Sequence, residues 1–265
     1  MALPELKTIN LPDGKISYRE IGTGPSIVFL HGLAGNSRSW EGQFDHFSKT
    51  NHVIAWDTPG YGRSDNKKAD INIYSDCLHQ LLGSLVKDQF LLVGHSMGGV
   101  LAGHFANRFQ NQLVGLVLSC THVGNGLEKG LDLPERYQRR VDDLNTMTAK
   151  SYGTSRAKAM LALNTPSAIF DKAANIAADT QIGGLTNAIR IILETDNTES
   201  LSSLDLPTMV ISGAVDPIVP KEKTDQLHRL VSGSQTAIIS DAGHAPYLEK
   251  NDHYNKVVSG FIKKL

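Results

Sequence analysis

The sequence has few cysteines and almost no net charge, and each absence excludes a class of protein. Cys77 and Cys120 are the only cysteines among 265 residues, so they cannot build a disulfide framework, and no CxxC pair occurs. So few cysteines are typical of a protein in a reducing compartment, and we expect a cytoplasmic protein. The 26 basic and 27 acidic residues give a formal charge of −1. We therefore expect no basic surface for nucleic acid.

Long apolar runs and cofactor motifs are missing as well. No uninterrupted apolar run reaches the roughly 18 residues of a membrane-spanning helix, and the first twenty residues lack the apolar segment of a signal peptide. There is no HExxH, no GxxxxGK[ST] loop and no GxGxxG after a strand. The sequence thus predicts no metal, no cofactor and no membrane partner. The expected partner is a small-molecule substrate, and the protein is either a monomer or a homodimer.

Short apolar runs rich in β-formers alternate with helical stretches. Several, such as "SIVFL" and "LVGLVLS", are almost wholly apolar, which is typical of parallel strands covered on both faces. "GTGP" between the first two runs predicts a hairpin turn. The alternation favours an α/β sheet with right-handed crossovers. The predicted strands are 15–21, 26–30, 52–56, 90–94, 113–119, 208–212 and 236–240. The predicted helices are 74–86, capped by Ser75 or Asp76, 99–109 and 253–265.

One segment interrupts this alternation. Residues 122–200 contain no convincing strand but several helix-like stretches, such as "SRAKAMLALN" and "LTNAIRIILE". We interpret the segment as a helical cap inserted into a core domain of residues 1–121 and 201–265; ordinary surface helices are the alternative. Four basic residues in it are interpreted as a solvated surface, with contact to an acidic substrate as the alternative: Arg136, Arg139, Arg140 and Lys150.

The stretch "LLVGHSMGGV" places a serine in a crowded turn. Gly94, Ser96 and Gly98 form the pattern G-x-S-x-G after a buried run and before a helical one. Glycine on both sides removes side chains that would crowd the turn, so the Ser96 hydroxyl can project clear of the sheet. This predicts Ser96 as a nucleophile. The alternative is a solvent-facing serine in a glycine-rich turn.

A serine nucleophile needs a base and an orienting carboxylate. His244 follows the last predicted strand on a loop that can bring its ring over a neighbouring strand end. Asp216 directly follows the strand before it. Asp241 is the rival carboxylate, but it lies only three residues before His244 and would have to bend back on the same loop. The order Ser96, Asp216, His244 is the one expected for this arrangement.

Acyl transfer also needs hydrogen-bond donors for a developing oxyanion. We expect the backbone N–H of Met97, next to the nucleophile, to be one donor. The other is the N–H of Leu33, in the loop after 26–30, whose side chain would also line the pocket. His31 in that loop is interpreted as a buried residue that shapes it.

Five stretches together resemble the α/β-hydrolase superfamily. They span nearly the whole chain outside 122–200: "HGLAGNSRSW" (31–40), "AWDTPGYGRSD" (55–65), "GHSMGG" (94–99), "GAVDPIVP" (213–220) and "AGHAPYLE" (242–249). The resemblance implies an eight-stranded, mostly parallel sheet with helices on both faces and a helical cap. It also implies that Asp57 to Ser64 shape the rim of the site without taking part in catalysis.

The resemblance narrows the reaction but not the substrate. Dehalogenases and epoxide hydrolases of this fold carry aspartate where Ser96 stands, so they are disfavoured. Carboxylesterases, enol-lactonases, cofactor-free haloperoxidases and carbon–carbon bond hydrolases remain. The last group usually has "HGxGPG" and an asparagine before the serine, whereas this chain has "HGLAGN" and His95. An ester hydrolase with an acyl-enzyme is therefore expected, with cleavage of a vinylogous diketone as one alternative and a non-catalytic receptor as another.

The lining of the pocket is expected to come partly from apolar residues of 122–200. The candidates are Leu127, Leu131, Met147, Met160 and Ile169.

Overall fold

A single eight-stranded sheet runs through residues 2–265, the part of the chain that the computed structural model describes. Its strands are β1 (Lys7–Leu11), β2 (Gly14–Ile21), β3 (Ser26–Leu30), β4 (His52–Trp56), β5 (Phe90–His95), β6 (Leu113–Ser119), β7 (Thr208–Gly213) and β8 (Gln235–Ile239). The spatial order is β1-β2-β4-β3-β5-β6-β7-β8. β2 is antiparallel to both β1 and β4, and the remaining neighbours are parallel.

The central strands are apolar on both faces because helices cover both faces. Val28 of β3 and Leu92 of β5 belong to one buried cluster, whereas their neighbours Phe29 and Val93 belong to another on the opposite face. Successive side chains of a strand point to opposite faces, so a nearly continuous apolar run fills two cores at once. This confirms the predicted α/β architecture.

The helices between the strands follow the expected alternation. They are α1 (Glu41–Phe47), α2 (Ile71–Leu85), α3 (Met97–Phe109), α4 (Glu135–Thr146), α5 (Ala149–Met160), α6 (Ser167–Ala177), α7 (Ile182–Glu194), α8 (Thr198–Ser202), α9 (Lys221–Leu230), α10 (Pro246–Glu249) and α11 (Asn251–Ile262). Side chains of α2, α3, α8 and α9 fill one core, and those of α1 and α11 the other. In the described chain, no helix is long and apolar enough to cross a membrane.

Two local predictions were wrong. β2 and β3 do not form a hairpin, because β4 lies between them and pairs with both. The hairpin joins β2 to β1, which was not predicted, and Leu11 pairs with Gly14 across a two-residue turn. β1 is an exposed edge strand, so it carries little apolar signal. The cap of α2 is Asp70, which accepts a hydrogen bond from the Asn72 N–H at 2.9 Å.

The chain between β6 and β7 is helical. Residues 122–200, all of them described, contain α4 to α7, the start of α8 and no strand, apart from an isolated bridge between Gly124 and Asp196. α4 packs against α7, and α5 against α6. The carboxyl ends of β3, β5, β7 and β8, where the predicted site residues follow, lie along the same edge of the sheet.

Candidate active site

Ser96 occupies the turn between β5 and α3 with a left-handed backbone, φ 53°. A non-glycine residue in this region is strained, which is a mark of functional sites. A Cβ atom on Gly98 would lie 2.4 Å from the Leu30 carbonyl oxygen, so α3 can start this close to β3 only with glycine there. The Ser96 N–H donates to the Ser119 carbonyl at 3.0 Å, which ties the turn to β6.

The structure brings Ser96, His244 and Asp216 together. Ser96 Oγ lies 3.0 Å from His244 Nε2, and His244 Nδ1 lies 2.9 Å and 3.1 Å from the two Asp216 carboxylate oxygens. Because Nδ1 faces a carboxylate, Nδ1 carries the proton, and Nε2 is left to accept one from the Ser96 hydroxyl. The rival Asp241 is exposed, and it is Asp216 whose carboxylate meets the imidazole.

Asp216 is held as a buried anion. Its side chain is 3% exposed, and its Oδ1 accepts hydrogen bonds from the N–H groups of Ile218 at 2.8 Å and Val219 at 3.0 Å. Burial pushes the pKa of this carboxyl up, but the hydrogen bond and charge of His244, together with these two N–H groups, lower it overall. The carboxylate is therefore ionised and fixed before any substrate arrives.

The side chain of His95 is a second support for His244, which was not predicted from the sequence. Its Nε2 donates to the His244 carbonyl oxygen at 2.7 Å, and its ring is 2% exposed. Burial lowers the pKa of His95 to about 3, with the neighbouring His244 adding to the shift, so the ring is neutral. On the other side of the loop, the His244 N–H donates to the Met160 carbonyl at 2.9 Å.

Glu249 is the other residue at the His244 loop that was not predicted from the sequence. Its carboxylate accepts hydrogen bonds from the N–H groups of Gly243 at 3.0 Å and Ala245 at 3.1 Å, which flank His244. It also accepts from the Ala162 N–H at 2.7 Å and from Thr165 Oγ1 at 3.1 Å. One buried carboxylate thus joins the His244 loop to the end of α5. The sequence feature that points to this residue is its place at the end of "AGHAPYLE", but its hydrogen-bond partners are visible only in the fold.

The two predicted oxyanion donors lie beside the serine. Met97 is the first residue of α3, where a helix leaves its N–H unpaired. The loop with Leu33 approaches so closely that a Cβ atom on Gly32 would lie 2.9 Å from Ser96 Cβ. Within residues 2–265, neither the Leu33 N–H nor the Met97 N–H donates to a protein acceptor.

His31 has the surroundings of a structural residue. It is fully buried, its Nδ1 donates to the Gly32 carbonyl at 2.9 Å, and its Nε2 accepts from the Thr58 N–H at 3.0 Å. Burial lowers its pKa, so the ring stays neutral. Asp57 in turn accepts from the Ser37 N–H at 2.7 Å and from the Ser17 hydroxyl at 2.5 Å. These bonds fix the loop that carries Leu33.

A cavity of ≈ 320 Å³ opens over Ser96 and His244. Part of its wall comes from the core, including Leu33 as predicted, and part from 122–200. Of the five apolar candidates in that segment, only Met160 lines it. The prediction was wrong for three that are exposed, namely Leu127, Leu131 and Met147. It was also wrong for Ile169, which is partly buried against the apolar cluster that includes side chains of α1 and α11. Helix orientation decides which residues face the cavity, and composition does not reveal it.

The arginines of 122–200 divide into two groups. Arg139 is 72% exposed and pairs with Glu135 at 3.0 Å, as expected of a solvated surface. Arg136 and Arg140 line the cavity instead, together with Arg156 from α5. The interpretation of Arg136, Arg139, Arg140 and Lys150 as solvated surface was therefore wrong for Arg140, which is only partly exposed, whereas Arg136 is exposed and also lines the cavity.

Cys120 lies beside Asp216 and His244. Its Sγ and the ligand atoms of Asp216 and His244 all lie within 4.8 Å of one another, and burial raises the pKa of the thiol. The three groups resemble a metal cluster in composition. However, His244 Nδ1 holds a proton for Asp216, and the same nitrogen cannot bind a metal at the same time.

Comparisons with known proteins show the family and the fold of this chain. The sequence matches the profile of the alpha/beta hydrolase fold family over residues 25–251. A 3-oxoadipate enol-lactonase from Acinetobacter baylyi is 26% identical over 247 residues, which cover 91% of this chain and 90% of the relative. Among solved structures, a thermophilic esterase from Thermogutta terrifontis superposes with a TM-score of 0.85 at 24% identity, covering 98% of both chains. A meta-cleavage product hydrolase from Pseudomonas fluorescens IP01 superposes with a TM-score of 0.80 at 22% identity, covering 97% of both chains. The two structural likenesses establish the fold.

The match of the family profile to most of the chain decides the assignment. The chain belongs to the alpha/beta hydrolase fold family, and the protein is a hydrolase.

Proposed function

We propose that the protein is a serine hydrolase that cleaves carboxylic esters through an acyl-enzyme. The observation that supports this best is the continuous hydrogen-bonded line from the Ser96 hydroxyl through His244 to Asp216, with distances of 3.0 Å and 2.9 Å. The line ends at a cavity large enough for a small substrate. We also propose that residues 122–200 act as a cap over this cavity, since they supply part of its wall.

In the proposed acylation step, His244 Nε2 takes the proton of Ser96 as Oγ attacks the carbonyl carbon. The negative charge that develops on the carbonyl oxygen is stabilised by the N–H groups of Leu33 and Met97. The imidazolium then gives its proton to the departing alcohol, and the ester bond breaks. Asp216 stabilises the charged ring and keeps Nδ1 as its donor nitrogen.

In the proposed deacylation step, the same ring takes a proton from water. The resulting hydroxide adds to the acyl carbon, the same two N–H groups hold the oxyanion, and the Ser96 oxygen leaves with the proton from His244. Ester and water are thus converted to acid and alcohol, with no net change in the enzyme. This route needs no metal and no organic cofactor.

Substitution of the nucleophile tests the proposal. We expect Ser96→Ala to lower kcat for a short p-nitrophenyl ester by about 10⁴-fold or more, because only the oxyanion donors and binding remain. Ser84→Ala, an exposed serine on α2, is the matched control and should keep full turnover.

A fluorophosphonate probe separates the alternatives. The proposal predicts covalent labelling of Ser96 and loss of the label in Ser96→Ala. Full turnover by Ser96→Ala would show that another group carries the reaction. Absence of both labelling and turnover in the wild-type protein would favour the non-catalytic receptor. If Ser96 is labelled and the enzyme leaves the p-nitrophenyl ester intact but cleaves a vinylogous diketone, the carbon–carbon hydrolase is favoured.

A further inference from the structure

The cavity over Ser96 carries an unbalanced positive charge. Arg136, Arg140 and Arg156 line it, and among the described residues of its wall there is no aspartate or glutamate. The whole chain has a formal charge of −1, so this excess is local. An enclosed patch of one sign raises the local concentration of ligands of the opposite sign.

Two of these arginines lack a carboxylate partner in the protein. Arg136 and Arg140 are four residues apart on α4 and therefore share one face of the helix. Neither forms an ion pair with any other residue of the described range 2–265. The Arg136 guanidinium lies 4.6 Å from the Tyr137 ring centroid, which orients the group without neutralising it. The Arg140 Nε is buried and has no acceptor.

Arg156 reaches the same wall from α5. Its side chain is only 18% exposed, and its Nε is likewise buried without an acceptor. Asp143 compensates part of its charge at 3.6 Å. Burial lowers the pKa of this guanidinium, and the charge of Arg140 lowers it further. Both guanidinium groups belong to the wall of the same cavity. Such a pair of fork-shaped donors suits an anion that accepts hydrogen bonds from both.

The neighbouring Arg139 shows what a surface arginine looks like on the same helix. It is 72% exposed, pairs with Glu135 at 3.0 Å and does not line the cavity. Arg136 is exposed as well, so the contrast on α4 lies in pairing and position: Arg136 and Arg140 have no ion-pair partner in the described range 2–265, and both line the cavity. Arg139 therefore provides a matched control.

We propose that the substrate carries a carboxylate, which these three arginines bind while Ser96 attacks an ester carbonyl of the same molecule. This inference rests on the proposed function and adds the substrate class: half-esters of dicarboxylic acids and related acidic esters or lactones. The apolar part of the wall, formed by residues such as Met160, Ile192 and Val219, would hold the hydrocarbon between the two groups. Because a neutral ester leaves buried guanidinium nitrogens unpaired, the site favours the acidic one.

Paired substrates test this inference. The p-nitrophenyl half-ester of glutaric acid carries a carboxylate on the acyl side, and p-nitrophenyl pentanoate is its neutral counterpart. A second pair, 4-carboxyphenyl pentanoate and phenyl pentanoate, places the charge on the leaving group. For the preferred pair, we expect the ratio of kcat/KM, acidic over neutral, to fall by about 10- to 100-fold in Arg140→Gln. Arg136→Gln, on an exposed helix face that tolerates substitution, should lower the same ratio.

The controls decide what a negative result means. Arg139→Gln should leave the ratio of each pair at the wild-type value. Raising the salt concentration should lower the acidic-over-neutral ratio of the wild type only for a pair whose acidic member the arginines bind, because salt screens their charge. If Ser96 is labelled and neutral esters are cleaved, but neither ratio responds to Arg136→Gln or Arg140→Gln, the substrate inference is overturned and the hydrolase stands. If the wild type cleaves no ester and Ser96 is not labelled, the proposed function fails.

Protection from labelling gives a readout that does not depend on turnover. We expect glutarate to slow fluorophosphonate labelling of Ser96 in the wild type and Arg139→Gln, and to lose this effect in Arg140→Gln. Equal protection in all three proteins would contradict carboxylate binding at the arginines.

Discussion

Two histidine rings 4.8 Å apart, His95 and His244, have different tasks because their partners differ. His244 faces a carboxylate on one side and a hydroxyl on the other, whereas His95 is buried and gives its one hydrogen bond to a backbone carbonyl. In the sequence, His95 directly precedes Ser96. The sequence did not show that His95 holds the His244 loop.

The buried His95 makes stability depend on pH. Its pKa is lowered from 6.5 to about 3, so the unfolded chain binds a proton in this range that the folded protein does not. Stability therefore falls as pH drops from about 6.5 towards 3, by about 1.4 kcal/mol per pH unit for this group. We expect His95→Gln to lose that part of the slope, as measured by urea unfolding at a series of pH values.

The exposed His253 on α11 provides the control. His253→Gln should retain the wild-type slope between pH 6.5 and 3. A His95→Gln protein whose stability declines as steeply as the wild type would show that other groups take up the protons.

At the scale of elements, the site is assembled by loops at the carboxyl ends of strands and by the hydrogen bonds of Glu249, which connect the His244 loop to the end of α5. Ser96 follows β5, Asp216 follows β7 and His244 follows β8. In the strand order, β7 lies two places from β5 and β8 lies three places from it. The loop with His244 must therefore extend from β8 past the ends of β7 and β6 to meet Ser96. Glu249 holds the loop in this position by binding both N–H groups beside His244 and the end of α5.

Loss of these hydrogen bonds should affect stability and catalysis together. Four groups donate to the two carboxylate oxygens of Glu249. In Glu249→Gln, an amide NH₂ replaces one of these oxygens, so at least one buried N–H loses its acceptor. We expect the free energy of unfolding to fall by about 2–4 kcal/mol and kcat to fall by about tenfold or more, with KM changed less, because His244 is displaced relative to Ser96.

Urea unfolding and ester kinetics on the same preparations measure both effects. Glu222→Gln, an exposed acidic residue of α9, should leave both unchanged. A Glu249→Gln variant with wild-type kcat would indicate that the loop is fixed by the bonds of His95 and Met160 alone.

At the scale of the whole molecule, the cavity is shared between the sheet and the helices of 122–200. The core supplies Ser96, His244 and Leu33, whereas the helices supply the arginines and Met160. With ≈ 320 Å³, the cavity lies near the lower end of the range for small-ligand sites. The size of the substrate is thus limited by a segment that contributes none of the proposed catalytic residues.

This limit predicts a preference for short acyl chains. Among neutral p-nitrophenyl esters from acetate to decanoate, kcat/KM should be highest at the short end and decline for chains that outgrow the cavity. Met160→Ala should move the optimum towards longer chains, because it removes a side chain from the wall. A wild-type optimum at decanoate would contradict a cavity of this size.

Much of the fold and the proposed triad could be predicted from the sequence because those signals are local. A buried apolar run, two glycines around Ser96 and a polar residue after each strand are patterns within a few residues. β1 escaped prediction because an edge strand is exposed and carries little apolar signal. The false hairpin had a different cause: a turn signal says that the chain bends, not which strand it pairs with.

By itself, the sequence determined the α/β architecture, the family resemblance and the residues proposed as nucleophile, base and orienting acid. Only the tertiary structure decided which side chains meet: His95 and Glu249 at the His244 loop, and Arg136, Arg140 and Arg156 around one cavity. The physical reason is that contacts between residues distant in the chain depend on how helices and loops are oriented. An apolar pattern shows that an element is buried against others. The orientation of that element, which the pattern does not show, decides which of its polar groups face the substrate.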